Sequence, residues 1–496
     1  MNKRRMSGVL LPVFSLPSPN GIGTLGRAAY EFVDFLHAAG QSVWQVLPIN
    51  PVGKGNSPYS STSSFAGNPL FIDLDELEPT GLLKADDVVV TANDKGRSAA
   101  VGRIDYDTAF KRSDSFLRIA FSRVTPHMKK EIDAFAEKND WLDDFALYTA
   151  IRNVTEKIHW YEWEEGLKRR EPAALAKASA EYADEIEYIK FQQYLFFRQW
   201  NSVKAYANDK GISIVGDLPI YCALDSADVW ASPEFFHLDE DLAPIEVSGC
   251  PPDYFSEDGQ LWENPLYDWD ALKKDNYAWW MKRLGAAISA FDITRIDHFR
   301  GFAGYYAIPA GEKTARRGEW KTGPGYDFFK TANKVLKKPR FIAEDLGFPT
   351  DDVAVLLRRC DYPGMKVLQF AFDAYGDSTY LPHNYVKNAV VYTGTHDNDT
   401  TMGWFDSLNR KDRKFFKEYA AMKRGESPAW ALLRLAWASA ADTAVTQMQD
   451  LLELPTSARV NMPGVAYGNW GWQMEDGLLT DKLAKRLSEL TKLYAR

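Results

Sequence analysis

Three cysteines in 496 residues, Cys222, Cys250 and Cys360, are too few for a disulfide framework. The chain therefore reads as built for a reducing compartment, and the expected address is the cytoplasm. No apolar run reaches the roughly 18 residues a membrane-spanning helix needs. Basic residues are in deficit: 59 Lys and Arg against 68 Asp and Glu leave a net charge of −9. Nucleic-acid footprints and polybasic membrane patches both need clustered positive charge, so neither partner is expected. The seven histidines show no His-x-His or His-Glu-x-x-His spacing, and no metal is expected. Also missing are a Gly-x-Gly-x-x-Gly after the first apolar run, a Walker loop and a Gly-x-Ser-x-Gly elbow. Those absences argue against dinucleotide binding, phosphoryl transfer and serine-based ester hydrolysis. There are no internal repeats or low-complexity segments.

The first 16 residues begin like a secretory leader, with Lys3, Arg4 and Arg5 ahead of Val9, Leu10 and Leu11. Pro12 interrupts the apolar run and no small-x-small cleavage site follows. A buried first strand is the expectation. Aromatic residues are plentiful: 28 Phe, 24 Tyr and 16 Trp. Most belong in a core, yet Trp and Tyr also suit sugars, whose C–H faces pack on aromatic planes while polar tips reach hydroxyls. The length fits about three domain-sized units or one large barrel with insertions.

Eight short apolar runs end in polar residues: Ser7–Phe14, Ser42–Leu47, Ile212–Val215, Phe291–Ile296, Phe341–Ala343, Met365–Phe372, Ala389–Tyr392 and Ala458–Asn461. Helical stripes lie between them. One has Thr24 as N-cap, then Ala29, Phe32, Val33 and Leu36 on one face, and ends at Gly40. Others carry Tyr277, Trp280, Met281, Leu284 and Ile288, or Leu483, Leu487 and Leu490 after Thr480. Alternating strands and helices predict a parallel sheet. Eight units predict a (β/α)8 TIM barrel, α/β in class, with a doubly wound sheet as the alternative. The whole chain, 1–496, reads as one catalytic barrel with two insertions. A helical insertion is expected over about 75–205, and a loop-rich one rich in proline over about 222–275, long enough to be functional.

Barrel enzymes work at the C-terminal ends of their strands. The residues expected there are unusually acidic: Asp217, Asp297, Glu344, Asp373 and Asp397. Any one could be a helix cap or surface ion pair. Five on one rim are costly unless they serve a purpose. Glycoside chemistry needs a nucleophilic carboxylate and a second carboxyl of raised pKa. Asp297 and Glu344 end neighbouring candidate strands. Arg295 lies two residues before Asp297, on the same face of the strand, and is expected to keep it ionised. Glu344 has no basic neighbour in sequence, which allows a raised pKa. His298 and His396 are placed to bond sugar hydroxyls, or are satisfied loop histidines.

These residues carry a family likeness. Arg295-Ile-Asp-His-Phe-Arg-Gly301, Ala343-Glu-Asp-Leu-Gly347 and Thr395-His-Asp-Asn-Asp-Thr400 resemble signatures of the amylomaltases, or 4-α-glucanotransferases. So do Leu10-Leu-Pro-Val-Phe-Ser-Leu-Pro17, Ser57-Pro-Tyr59, Phe65-Ala-Gly-Asn-Pro69, Gly216-Asp-Leu-Pro-Ile220, Pro251-Pro-Asp-Tyr-Phe-Ser256, Gly364-Met-Lys-Val-Leu-Gln-Phe370 and Gly468-Asn-Trp470. The resemblance implies an α-amylase-clan barrel, retaining double displacement, and maltooligosaccharides and α-1,4-glucans as partners. It implies Asp297 as nucleophile, Glu344 as acid/base and Asp397 as transition-state stabiliser. Tyr59, Asp217, Gln260, Trp262, Arg295, His298, Asp373, His396 and Asn469 become sugar-binding expectations, and Gly249–Gln260 a loop that closes over the site. No cofactor is expected, since carboxylates supply the charge stabilisation. Two departures stand out: Glu263 where the family usually has Gly, and Gln473 where it usually has Arg. They leave the chemistry intact and bear on chain-length preference. The carboxylates alone do not separate a transferase from an α-amylase-type hydrolase. A catalytically dead glucan-binding protein would not need all three.

Overall fold

Alternation with a period of two gives the barrel strands one inward and one outward face. Among the described residues the strands are β1 (Met6–Leu10), β2 (Val43–Gln45), β3 (Ser213–Leu218), β4 (Glu246–Cys250), β5 (Gln260–Pro265), β6 (Ile293–Ile296), β7 (Gly304–Pro309), β8 (Glu319–Thr322), β9 (Phe341–Ala343), β10 (Gly364–Val367), β11 (Ala389–Tyr392) and β12 (Thr443–Gln447). The computed structural model describes residues 5–84, 86–87, 102–155, 158–252, 256–347, 350–373 and 378–496. Eight strands pair in parallel in the order β10-β11-β12-β1-β2-β3-β6-β9. The ring closes where the Ala343 N–H donates to Pro363 O at 2.9 Å. Met365 N–H reaches Asp345 Oδ1 at 2.7 Å across the same seam. The fold is a (β/α)8 TIM barrel.

The eighth barrel strand is β12, not Ala458–Asn461. All five residues of β12 are buried, yet they read Thr-Ala-Val-Thr-Gln, with no apolar run to mark them. Ala458 and Val460 are buried as anchors of a loop instead. The first helix also starts later than expected, at Arg27–Ala38. Its cap is Gly26, where a Cβ would lie 2.1 Å from the Asp73 carboxyl. Thr24 uses its hydroxyl on Asp73 Oδ2, at 2.6 Å, rather than on the helix. Helix Asp481–Leu493 starts as expected, with Thr480 Oγ1 accepting from the Leu483 N–H.

Among the described residues between β2 and β3 are the helices Tyr106–Phe121, Pro126–Glu137, Leu142–Val154, Pro172–Glu181 and Ala183–Asp209. The last of these grips the segment that follows Tyr59. Gln193 bonds both backbone groups of Gly67, at 2.8 and 2.9 Å. Gln199 does the same to Asp73, at the same two distances. Buried amide-to-backbone pairs of this kind satisfy a loop that lacks strand partners.

The stretch read as loop-rich carries two strands. β4 and β5 join β7 and β8 in an antiparallel sheet of order β5-β4-β7-β8. Its two hairpins leave the barrel after β3 and after β6, so the sheet rises from the strands' C-terminal ends. No helix among the described residues is long and apolar enough to cross a membrane.

Candidate active site

Inside the barrel, Leu10, Val43, Val215, Ile293, Ile342, Val390 and Val445 belong to one buried apolar cluster. Two residues further along the same faces the character changes. Val43 is followed by Gln45, Val215 by Asp217, Ile293 by Arg295 and Ile342 by Glu344. Another step of two from Arg295 reaches Asp297. Strand periodicity alone therefore stacks a polar layer on an apolar plug at the C-terminal end.

Arg295, 2% exposed, is the hub of that layer. Nη1 meets Asp217 Oδ2 at 2.5 Å and Asp297 Oδ1 at 3.1 Å, and Nη2 meets Glu344 Oε2 at 3.2 Å. A buried guanidinium is tolerable only with such partners, and its planar fork can serve several carboxylates at once. Tyr59 donates its hydroxyl to Asp217 Oδ2 at 2.7 Å. Asp297 and Glu344 thus meet the two terminal nitrogens of one guanidinium, close enough for the charge of each to act on the other.

The protonation balance reverses the sequence expectation. Burial pushes Asp297 well above the usual carboxylate range, and the Glu344 charge adds to it. Burial alone would raise Glu344 too, but the Arg295 cation and the His298 N–H outweigh it, and Glu344 is held low. That N–H donates to Glu344 Oε2 at 2.6 Å, from a residue at φ 48°. Sequence proximity assigned Arg295 to Asp297 alone; the fold shares it across strands.

Two aromatic walls flank this floor. On one side Tyr59 stacks on His396, centroids 5.1 Å apart, and Trp470 lies 5.6 Å from Tyr59. On the other, Trp262 meets His298 edge-on at 4.8 Å. Burial lowers His298 to about 4, leaving it neutral, and its Nε2 is buried without a hydrogen-bond partner among the described residues. Trp262 Nε1 donates to Gln260 Oε1 at 3.1 Å. Asp397 Oδ1 accepts from Asn461 Nδ2 at 2.6 Å and lies 3.2 Å from His396 Nε2. Asn469 spends its amide within its own loop, accepting from Met462 N–H at 3.0 Å and donating to Val465 O at 2.8 Å. Asp373 is exposed and, among the described residues, forms no ion pair with Arg295. Residues 253–255 of the expected closing loop lie outside the described residues.

Sequence reasoning missed Asp450. Its Oδ2 accepts from the Thr393 hydroxyl and its Oδ1 from the Thr401 N–H, both at 2.7 Å. One buried carboxyl thus clamps both ends of the loop that presents His396 and Asp397. Asp450 follows β12, so overlooking that strand hid it. Arg459 Nη2 donates to Asp397 O at 2.5 Å and completes the support. A Cβ on Gly394 would lie 2.7 Å from both Gln369 Nε2 and Gln447 Nε2, so a side chain there would displace these two amides.

This arrangement has known counterparts. The family model described as 4-alpha-glucanotransferase matches residues 11–480. The 4-alpha-glucanotransferase of Clostridium butyricum is 44% identical over 98% of this chain and 99% of its own. That of Thermus thermophilus is 43% identical over the full length of both. The amylomaltase of Streptococcus agalactiae, solved in complex with acarbose, superposes with a TM-score of 0.96. It is 39% identical and covers 99% of this chain and 100% of its own. With the family model matching residues 11–480 and relatives 43–44% identical over nearly the whole chain, the chain belongs to the 4-alpha-glucanotransferase family.

Proposed function

We propose that Asp297, Glu344 and Asp397 perform the transfer by a retaining double displacement. The supporting observation is the shared hub. Arg295 holds Asp297 and Glu344 on one guanidinium, through Nη1 and Nη2. A retaining pair stands roughly 5–5.5 Å apart and an inverting pair roughly 6.5–9.5 Å, and two carboxyls on adjacent nitrogens of one guanidinium favour the closer spacing.

Double displacement needs one ionised and one protonated carboxyl, and a pair whose surroundings drive one carboxyl up and the other down carries that complement. When a glycosidic oxygen bonds to Glu344, it draws the proton there and leaves Asp297 ionised. Asp297 attacks the anomeric carbon, the C–O bond breaks, and Glu344 gives its proton to the leaving 4-oxygen. The donor half stays as a glycosyl ester. Glu344, now ionised, takes the proton of an incoming 4-hydroxyl, whose oxygen displaces Asp297. Asp397, with Oδ1 held by Asn461, has Oδ2 left for the sugar's hydroxyls as positive charge develops. Tyr59, His396 and Trp262 supply packing faces for sugar rings, Asp217, Arg295, His298, Gln260 and Asp373 supply polar contacts, and Asn469 shapes the loop beside them. Substrates in this reading are maltooligosaccharides and α-1,4-glucans.

Incubation with maltotriose tests this reading. A ladder of longer oligosaccharides plus glucose is expected. Conversion to glucose and maltose alone would mean that water, not sugar, captures the intermediate.

A further inference from the structure

The Lys54–Glu263 ion pair ties together the two segments that carry the aromatic walls. Lys54 lies in the turn Lys54–Asn56, five residues before Tyr59 of one aromatic wall. Glu263 follows Trp262 of the other wall, in β5. Their Nζ and Oε2 are 2.9 Å apart. The Lys54 turn is braced from behind, since a Cβ on Gly55 would lie 2.5 Å from Ala466 O. Glu263 contributes a second, independent observation: its φ is 64°, a left-handed conformation that suits glycine and strains a side chain. It sits where the β4–β5 register shifts. Among the described residues its ion pair is with Lys54, and that contact gives the strained side chain a purpose.

We infer that the Lys54–Glu263 pair is a strap over the cleft that disfavours long glucans relative to short ones. It rests on the glucan reading of the cleft given above. A short oligosaccharide fits beneath a bridge between the walls. A long chain must thread under it or part it. The strap is also weak by construction: its side chains are 71% and 61% exposed, so salt screens the pair.

The test measures kcat/KM for maltotriose and for long linear amylose with the full chain. The variants are Glu263→Gln, Glu263→Gly, Lys54→Met and the Lys54→Met/Glu263→Gln double variant. Each single change should raise the amylose-to-maltotriose ratio about 2- to 5-fold, the range open to an exposed pair. The double variant should match the singles rather than their product. About 0.5 M salt should move the wild type the same way and leave the variants in place. Glu263→Gly should melt no lower than Glu263→Gln, because it also relieves the left-handed strain. An unchanged ratio, additive singles, or an equal salt response in wild type and variants would overturn the strap. Loss of maltotriose disproportionation in the wild type would instead refute the proposed function.

Discussion

The floor of the cleft and its roof are both held by ion pairs, but of opposite kinds. At the floor, Arg295 and Asp217 have side chains 2% and 0% exposed, and the guanidinium serves three carboxylates. At the roof, one lysine meets one glutamate in full view of solvent. Charges without water interact strongly and reorganise little, so the floor suits bond-breaking chemistry. Charges in water interact weakly and part easily, so the roof suits selection among substrates. Changes at the floor should therefore be costly and alike for every substrate, and changes at the roof mild and substrate-dependent.

The largest effect belongs to Asp297→Asn. It preserves shape and removes the nucleophile, and kcat should fall by at least about 10³-fold on every donor length, with glucan binding retained. A loss confined to long donors would erase the distinction between floor and roof. Arg295→Leu comes next. It leaves buried carboxylates without their cation, so stability should drop by roughly 3–5 kcal/mol in denaturant melts, along with activity. A variant as stable as the wild type would show that the hub is not desolvated.

Asp450→Asn is intermediate. It loosens one end of the loop bearing His396 and Asp397, and kcat should fall about 10- to 100-fold through misplacement. Burial raises Asp450 from 3.8 to about 6. Its neutral form favours folding below pH 3.8, and that contribution is lost as pH rises through about 6. Relative to Asp450→Asn, the wild type should lose up to about 3 kcal/mol between pH 4 and 7, readable by melts across pH. A flat difference would place Asp450 in a wetter site than the fold indicates. The roof variants at Lys54 and Glu263 give the smallest effect, a few-fold shift in length preference.

Much of the floor is legible in the sequence, because a period of two maps directly onto inward positions. Val215 and Asp217, Ile293, Arg295 and Asp297, and Ile342 and Glu344 can be stacked on paper. β12 is not legible, since Thr443 and Gln447 are buried by the barrel rather than by their own apolarity. Asp450 went with it. The roof is harder still: β8 reads Glu-Trp-Lys-Thr and is mostly exposed, so no buried face announces it. The proton balance of Asp297 and Glu344 is not legible either, because the donors to Glu344 come from a neighbouring strand and a left-handed His298. Adjacency in sequence shows neither.

The central claim is that Asp297 carries the glycosyl group while Glu344 moves the proton. Glu344→Gln cannot assist an ordinary leaving group, but fluoride leaves with little proton assistance. The second step still lacks its base, so the variant should stall as a covalent ester when given a glycosyl fluoride. Intact-protein mass spectrometry followed by peptide mapping reads this directly. The account predicts an added glycosyl mass on the peptide containing Asp297. No adduct, with both donors turned over equally poorly, or an adduct on Asp397, would contradict it.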